Sequence, residues 1–257
     1  MLSGAGSERQ VLDHLRAAEP DVTVTNQTDR YGMLVLAGPK AREVLAPLTD
    51  ADVSNAAFRW LSGQEITIAG IPVRALRVNY VGELGWELHA PMADLARLYY
   101  GIWAAWVEHG IADFGVHAVN SLRMEKGYRG FGAELTNEIT LIEADCTRFY
   151  SPDKGPFNGR DATEAVRQNG ISTKLVYGEV AATDCDIYDG EAVMQGDRVV
   201  GVCTSGGFGH ATGKSLTFAY VEPGLTDGLE VVILGERRAL SLYADPVWDP
   251  TNARQKA

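Results

Sequence analysis

From residue 171 to about 245 the chain is a succession of β-branched runs with no convincing helix, broken at Asp189-Gly190, Gln195-Gly196-Asp197 and Gly206-Gly207. Short strands at such spacing cannot each bury a face alone. They do so by closing on one another, which predicts a small antiparallel β-barrel. The texture upstream is different, and the change falls between 158 and 170. The organisation predicted is an α+β domain over residues 1–160 followed by a C-terminal β-barrel domain over residues 161–257.

The upstream part mixes both periods. Tyr31 to Ala37 is a nearly continuous apolar run of strand length, ended by Gly38-Pro39. Pro39 suits the first turn of a helix, and Lys40 to Leu48 carries Ala41, Val44, Leu45 and Leu48 at helical spacing. Glu65 to Ala69 alternates polar and apolar, Gly70-Ile71-Pro72 punctuates, and Val73 to Tyr80 reads as a further strand. A strand-helix-strand-strand order favours α+β over an all-parallel sheet. Two helices follow. One runs from Pro91 to His109 with Leu95, Leu98, Tyr99, Ile102 and Trp106 on one face; the other runs from Gly115 to Lys126 with Val116, Val119, Leu122 and Met124. A short helix is expected from Arg160 to Gln168.

Charge and composition narrow the function. With 34 acidic against 23 basic residues the net charge is −11, which argues against nucleic-acid binding while leaving room for a small anion in a local basic pocket. No apolar run reaches the roughly 20 residues needed to span a bilayer, and residues 1–6 lack signal-peptide character, so no membrane role is expected. Cys146, Cys185 and Cys203 are odd in number and contain no Cys-x-x-Cys, which points to a reduced, cytoplasmic chain without a thiolate metal site. The five histidines form no pair at metal-ligand spacing, and no metal is expected.

Two motifs mislead. Gly207 to Ser215 resembles a phosphate-cradling loop, but Phe208 stands where the first glycine is needed, and the segment lies among barrel strands. Asp184 to Gly190 resembles a calcium loop, but its glycine is one residue late and no helix flanks it.

Tyr80-Val-Gly-Glu83-Leu-Gly-Trp86-Glu-Leu88 is more informative, because two glycines bracket a carboxylate between two strands. The backbone there can turn tightly and let a ligand approach. Such a glutamate is ordinarily a solvated turn residue. As a binding group, its two coplanar acceptors match the adjacent N–H donors of a 2-aminopyrimidinone edge, which pterins and guanines present.

This segment, Asn120-Ser-Leu-Arg-Met-Glu-Lys-Gly-Tyr128, Gly132-Ala-Glu-Leu-Thr136, Asp153-Lys154 with Phe157-x-Gly159-Arg160, and the run Thr204 to Ser215 together resemble the folate-binding aminomethyltransferase family. That is the family of the glycine-cleavage T-protein, and the wording is nearest its branch joined to dimethylglycine and sarcosine dehydrogenases. The resemblance runs from about residue 22 to 245. It implies a T-protein-like folate-binding subdomain before the barrel, tetrahydrofolate as cofactor, and transfer of a one-carbon unit from an N-methylated amine. Glu83 falls on what the resemblance marks as the pterin-reading glutamate. Tyr80 and Trp86 stand beside it as pocket walls or as sheet core. Arg123 orients a carboxylate or the folate tail, or else pairs with Glu125 or Glu87. Tyr128, with Arg129, lies at the pocket rim or on ordinary surface.

Family members carry an upstream stretch with an aspartate that stabilises the carbon in transit, and residues 2–9 resemble the middle of a member just past it. Val119 also stands where T-proteins often place an arginine. The catalytic group is therefore unassigned, and a hetero-oligomer is expected, with an upstream half-domain or a flavin-dependent dehydrogenase subunit as partner. The alternative is a non-catalytic assembly subunit of a larger oxidoreductase.

Overall fold

The computed structural model describes residues 1–18, 21–107 and 110–257, which pack as two compact units: residues 1–113 with 252–257, and residues 114–251. The end of the sequence-predicted helix at His109 lies outside the described residues. No helix among the described residues is long and apolar enough to cross a membrane.

In the first unit, helix α1 (Glu8–Ala18) precedes strand β1 (Tyr31–Ala37) and helix α2 (Ala41–Leu45). Strands β2 (Gly63–Ile68), β3 (Ile71–Leu76) and β4 (Gly85–Pro91) complete an antiparallel sheet in the order β1-β4-β3-β2, and helix α3 (Leu95–Trp106) follows. The helix expected to begin at Pro91 begins four residues later, because Pro91 closes β4 and Met92–Asp94 forms a 3-10 turn. Period two puts Trp86, Leu88 and Ala90 on the inner side of β4, where they join Ile68, Ile71, Val73, Ala75, Leu98 and Ile102 in the core. Gly85 is required by sterics, since a Cβ there would lie 2.5 Å from the Leu36 carbonyl oxygen of β1.

The second unit contains α4 (Val116–Glu125), α5 (Arg160–Asn169) and six strands: β5 (Lys174–Val180), β6 (Ala192–Gln195), β7 (Arg198–Gly209), β8 (Lys214–Val221), β9 (Leu229–Ile233) and β10 (Glu236–Tyr243). These strands close as an antiparallel barrel in the order β10-β5-β8-β7-β6-β9. Val193, Val200, Cys203, Ala219, Val231 and Leu240 fill its interior. The three cysteines are free thiols, and burial pushes the Cys203 thiol up to about 11.

Helix α4 departs from the amphipathic expectation. Val116 is 78% exposed, whereas Ser121, Arg123, Glu125 and Lys126 are buried with Met124. Each polar group is there because a partner meets it. Ser121 Oγ donates to the Phe208 carbonyl oxygen at 2.6 Å. Arg123 Nη1 reaches Glu134 Oε2 at 3.1 Å and the Tyr128 carbonyl oxygen at 3.0 Å. Lys126 Nζ pairs with Asp249. Glu125 Oε1 accepts from the backbone N–H groups of Ala211 and Thr212 at 2.9 and 2.8 Å. That last contact disposes of the phosphate-loop resemblance, since the amides such a loop would offer already hold an internal carboxylate.

Fully buried Glu134 also accepts from Thr204 Oγ1 at 2.7 Å, Gly130 N at 2.6 Å and Ser205 Oγ. Glu134→Ala strands Arg123 as an uncompensated buried charge and is expected to lose about 3–5 kcal/mol of stability, read from urea unfolding. Gly201→Ala drives a Cβ to 2.2 Å from the Tyr220 carbonyl oxygen in the β7–β8 pair. It should lower stability by about 1–3 kcal/mol, seen as a lower urea midpoint at unchanged slope.

Candidate functional site

The β3–β4 connection builds the predicted carboxylate site from one organising side chain. Asn79 Oδ1 accepts from Val81 N at 3.0 Å and Gly82 N at 3.1 Å, while its Nδ2 donates to the Glu83 carbonyl oxygen at 2.7 Å. This is an Asx-type turn, and Gly82 at φ +75° supplies the left-handed residue it needs. Val81 and Leu84 are drawn into the interior on either side. The Glu83 side chain is mostly covered, with Arg254 Nη1 lying 3.1 Å from Oε1 and 3.4 Å from Oε2.

Trp86 takes the core alternative. It is fully buried, meets Phe58 edge-on at 6.1 Å, and has the guanidinium carbons of Arg42 and Arg77 at 5.9 and 5.8 Å from its ring. Arg77 is itself buried and donates to the carbonyl oxygens of Phe58, Gln255 and Ala257. Burial and the neighbouring Arg42 charge draw its pKa below the ordinary arginine value. Tyr80 keeps a solvent-exposed side, at 39%.

The outer face of the same sheet was not singled out from the sequence. Glu87 and His89 stand on it, with His89 Nε2 3.3 Å from Glu87 Oε2 and both side chains mostly covered. In register beside them, β1 presents Tyr31, Met33 and Val35 at 47%, 47% and 36% exposure, and β3 presents Arg74 and Leu76. The signal was available. Glu87 is one residue out of phase with Trp86, so once Trp86 is inward Glu87 must point outward.

Next to this face lies a cavity of about 910 Å³, walled by Val11, Leu12 and Leu15 of α1 and reaching Tyr31, Arg74, Leu76 and His89. Its size is that of small-molecule sites.

Arg123 and Tyr128 belong to the second unit. Arg123 pairs with Glu134 rather than with the expected Glu125 or Glu87, because Glu125, two residues along the helix, points away from it toward the 209–213 turn. Arg123 Nε also donates to Asn120 Oδ1 at 3.0 Å, so Nε and Nη1 are both engaged within the network. Tyr128 is half-buried and its carbonyl oxygen accepts from Arg123. Arg129 holds Asp145 at 2.7 Å. Asp184, from the calcium-loop lookalike, pairs with Arg238, and no group of metal-binding side chains occurs among the described residues.

A family model described as the GCVT N-terminal domain matches residues 1–154, and one described as the glycine cleavage T-protein C-terminal barrel domain matches residues 174–249. Among curated proteins, the chain is 38% identical to mitochondrial dimethylglycine dehydrogenase of Mus musculus, over 99% of this chain and 30% of that protein. It is 30% identical to aminomethyltransferase of Streptomyces coelicolor, over 96% of this chain and 68% of that one. The chain thus spans less than a third of the dehydrogenase's length. The solved structure of glycine cleavage system aminomethyltransferase T from Bartonella henselae superposes with a TM-score of 0.83 at 24% identity, covering 96% of this chain and 68% of that one, a likeness of fold. With one model matched to each half in order, the chain belongs to the glycine cleavage T-protein family.

Proposed function

We propose that this chain binds tetrahydrofolate and serves one-carbon transfer to it, taking the carbon released from an N-methylated amine by a dehydrogenase or demethylase. The observation that carries the reading is the outer face of the first unit's sheet, where exposed Tyr31, Met33 and Val35 lie beside the partly covered carboxylate of Glu87. A reduced pterin is flat, with apolar faces and paired N–H donors on one edge. Such a ring fits an apolar strand surface and a carboxylate that accepts both donors.

Two carboxylates compete for that role. Glu83 is the one marked by the sequence resemblance, but both its oxygens lie near Arg254. Among the described residues, Glu87 has His89 as its polar partner, and one of its oxygens accepts no hydrogen bond. The residues present therefore fit the pterin edge. When bound, tetrahydrofolate would supply the nitrogens that receive the carbon, since the cofactor carries the chemistry. The protein's part is to orient the ring against the sheet and to exclude water from it.

The bare apolar face also supports a partner chain or further segment, of the kind the much longer dehydrogenase relative has room for, as its cover. On α3, Tyr100 at 67% exposure, beside the stacked pair Tyr99 and Trp103, is a second candidate contact. A rival reading, a non-catalytic assembly subunit, draws on the engagement of Glu83 by Arg254.

Calorimetric titration of tetrahydrofolate into the chain, with Glu83→Gln and Glu87→Gln alongside, separates these readings. The proposal expects micromolar binding that weakens about tenfold or more in at least one variant, as loss of a charge-assisted hydrogen bond does. Absence of binding at millimolar ligand, or binding indifferent to both substitutions, favours the assembly subunit.

A further inference from the structure

We infer that Met33 is an oxidation site on the bare face of the first unit's sheet, and that its sulfoxide draws His89 away from Glu87. The consequence for a ligand rests on the tetrahydrofolate reading; the oxidation and the change at His89 do not.

A thioether has to meet its oxidant in solvent, so exposure sorts the five methionines. Met124 is fully buried and Met194 is 9% exposed, whereas Met33 and Met92 are each 47% exposed and Met1 is 88% exposed. Setting then separates Met33 from the other two. Met1 lies ahead of α1 and Met92 opens the 3-10 turn after β4, while Met33 lies inside β1 with Tyr31 and Val35 on the same side of the strand. The oxidant is a peroxide. The Met33 sulfur attacks one oxygen of hydrogen peroxide, an S–O bond forms as the O–O bond breaks, and the sulfur gives up two electrons. The hydroxide released takes the proton from the new S–OH group and leaves as water.

The register fixes what the new oxygen meets. In the β1–β4 pair Met33 stands opposite His89 and Val35 opposite Glu87. Directly opposed side chains have their Cβ atoms about 4.5–5.5 Å apart, within the reach of a methionine side chain. His89 Nε2 lies 3.3 Å from Glu87 Oε2, a long contact for a hydrogen bond and so open to competition. A thioether competes poorly, because its sulfur is a weak acceptor, but a sulfoxide is polar and carries an oxygen. On the other side of His89, β3 presents Arg74, which donates to Glu65 Oε1 at 2.7 Å and has no acceptor to offer an imidazole N–H. Oxidation of Met33 therefore moves the imidazole off Glu87 and makes polar a face that is apolar in the reduced protein.

The test treats wild type, Met33→Leu and Met92→Leu with hydrogen peroxide and removes the peroxide by desalting. Peptide mass spectrometry, NMR of the imidazole signals (assigned with His89→Gln) and tetrahydrofolate titration follow, with circular dichroism confirming the fold. Expected is one added oxygen on Met33 and on Met92, and none on Met124 or Met194. The His89 signals should shift in wild type and Met92→Leu but stay in place in Met33→Leu. Tetrahydrofolate should bind about tenfold more weakly to the two proteins that shift, and a methionine sulfoxide reductase supplied with dithiol should reverse both changes. An unmodified Met33 beside an oxidised Met92 overturns the inference, as do His89 signals unmoved by oxidation of Met33. Tetrahydrofolate binding that ignores a shifted His89 overturns the link to the ligand. If His89 shifts as expected while the untreated chain binds no tetrahydrofolate, the oxidation site stands and the folate reading is the one that fails.

Discussion

A charge removed from water has to be matched within the protein, and the second unit is organised around that requirement. Helix α4 and its cap residue Lys126 turn three ionisable side chains inward, and each meets a different element. Arg123 reaches the 128–135 loop through Glu134, Glu125 reaches the β7–β8 turn, and Lys126 reaches Asp249 beyond the last barrel strand. An apolar helix could have packed on the barrel in several rotations at similar cost. Three buried charges with three separate partners leave one. The same contacts hold the 128–135 loop in place, because Glu134 joins Gly130 N to the β7 hydroxyls of Thr204 and Ser205. The loop is fixed by its interior and takes no conformation of its own choosing.

The sheet of the first unit has the opposite economy. Its inner side is closed by Trp86, Leu88, Ile68 and the helices, with buried Arg77 donating from Nη1 and Nη2 to carbonyl oxygens. Its outer side leaves Tyr31, Met33 and Val35 in contact with solvent beside Glu87 and His89. A contiguous apolar strand surface is unfavourable in water unless something covers it. Helix α1 accounts for one end of that face, where it walls the cavity.

What could be read in the sequence follows from the range of the interactions involved. Strand alternation and turn residues are local, so the barrel from Lys174 to Tyr243 and the β1 to β4 strands were visible from periodicity. The inward face of α4 was not, because spacing along a helix reports apolar pattern, and Ser121, Arg123, Glu125 and Lys126 are inward on account of partners eleven or more residues away. The ion-pair alternative for Arg123 pointed to Glu125 or Glu87 for want of that information, where the partner is Glu134. The hold of Arg254 on Glu83 spans 171 residues and left no local trace. The bracketing glycines, by contrast, were correctly informative: Gly82 makes the turn and Gly85 admits β1.

The two glutamates of this segment illustrate how one strand separates chemically similar groups. Glu83 lies before the strand begins, in a turn organised by Asn79, and turn geometry aims its carboxylate at the returning residues 252–257, where Arg254 waits. Glu87 lies inside the strand, where alternation alone sets its direction, and alternation points it at the bare face. A carboxylate already matched by a guanidinium must lose that partner before it can accept from a ligand, whereas one with an unused oxygen need not. The Glu83–Arg254 pair ties residues 252–257 to the turn that fixes where β4 starts. With that start the glycine-bracketed bend also fixes the side of the sheet toward which Glu87 points.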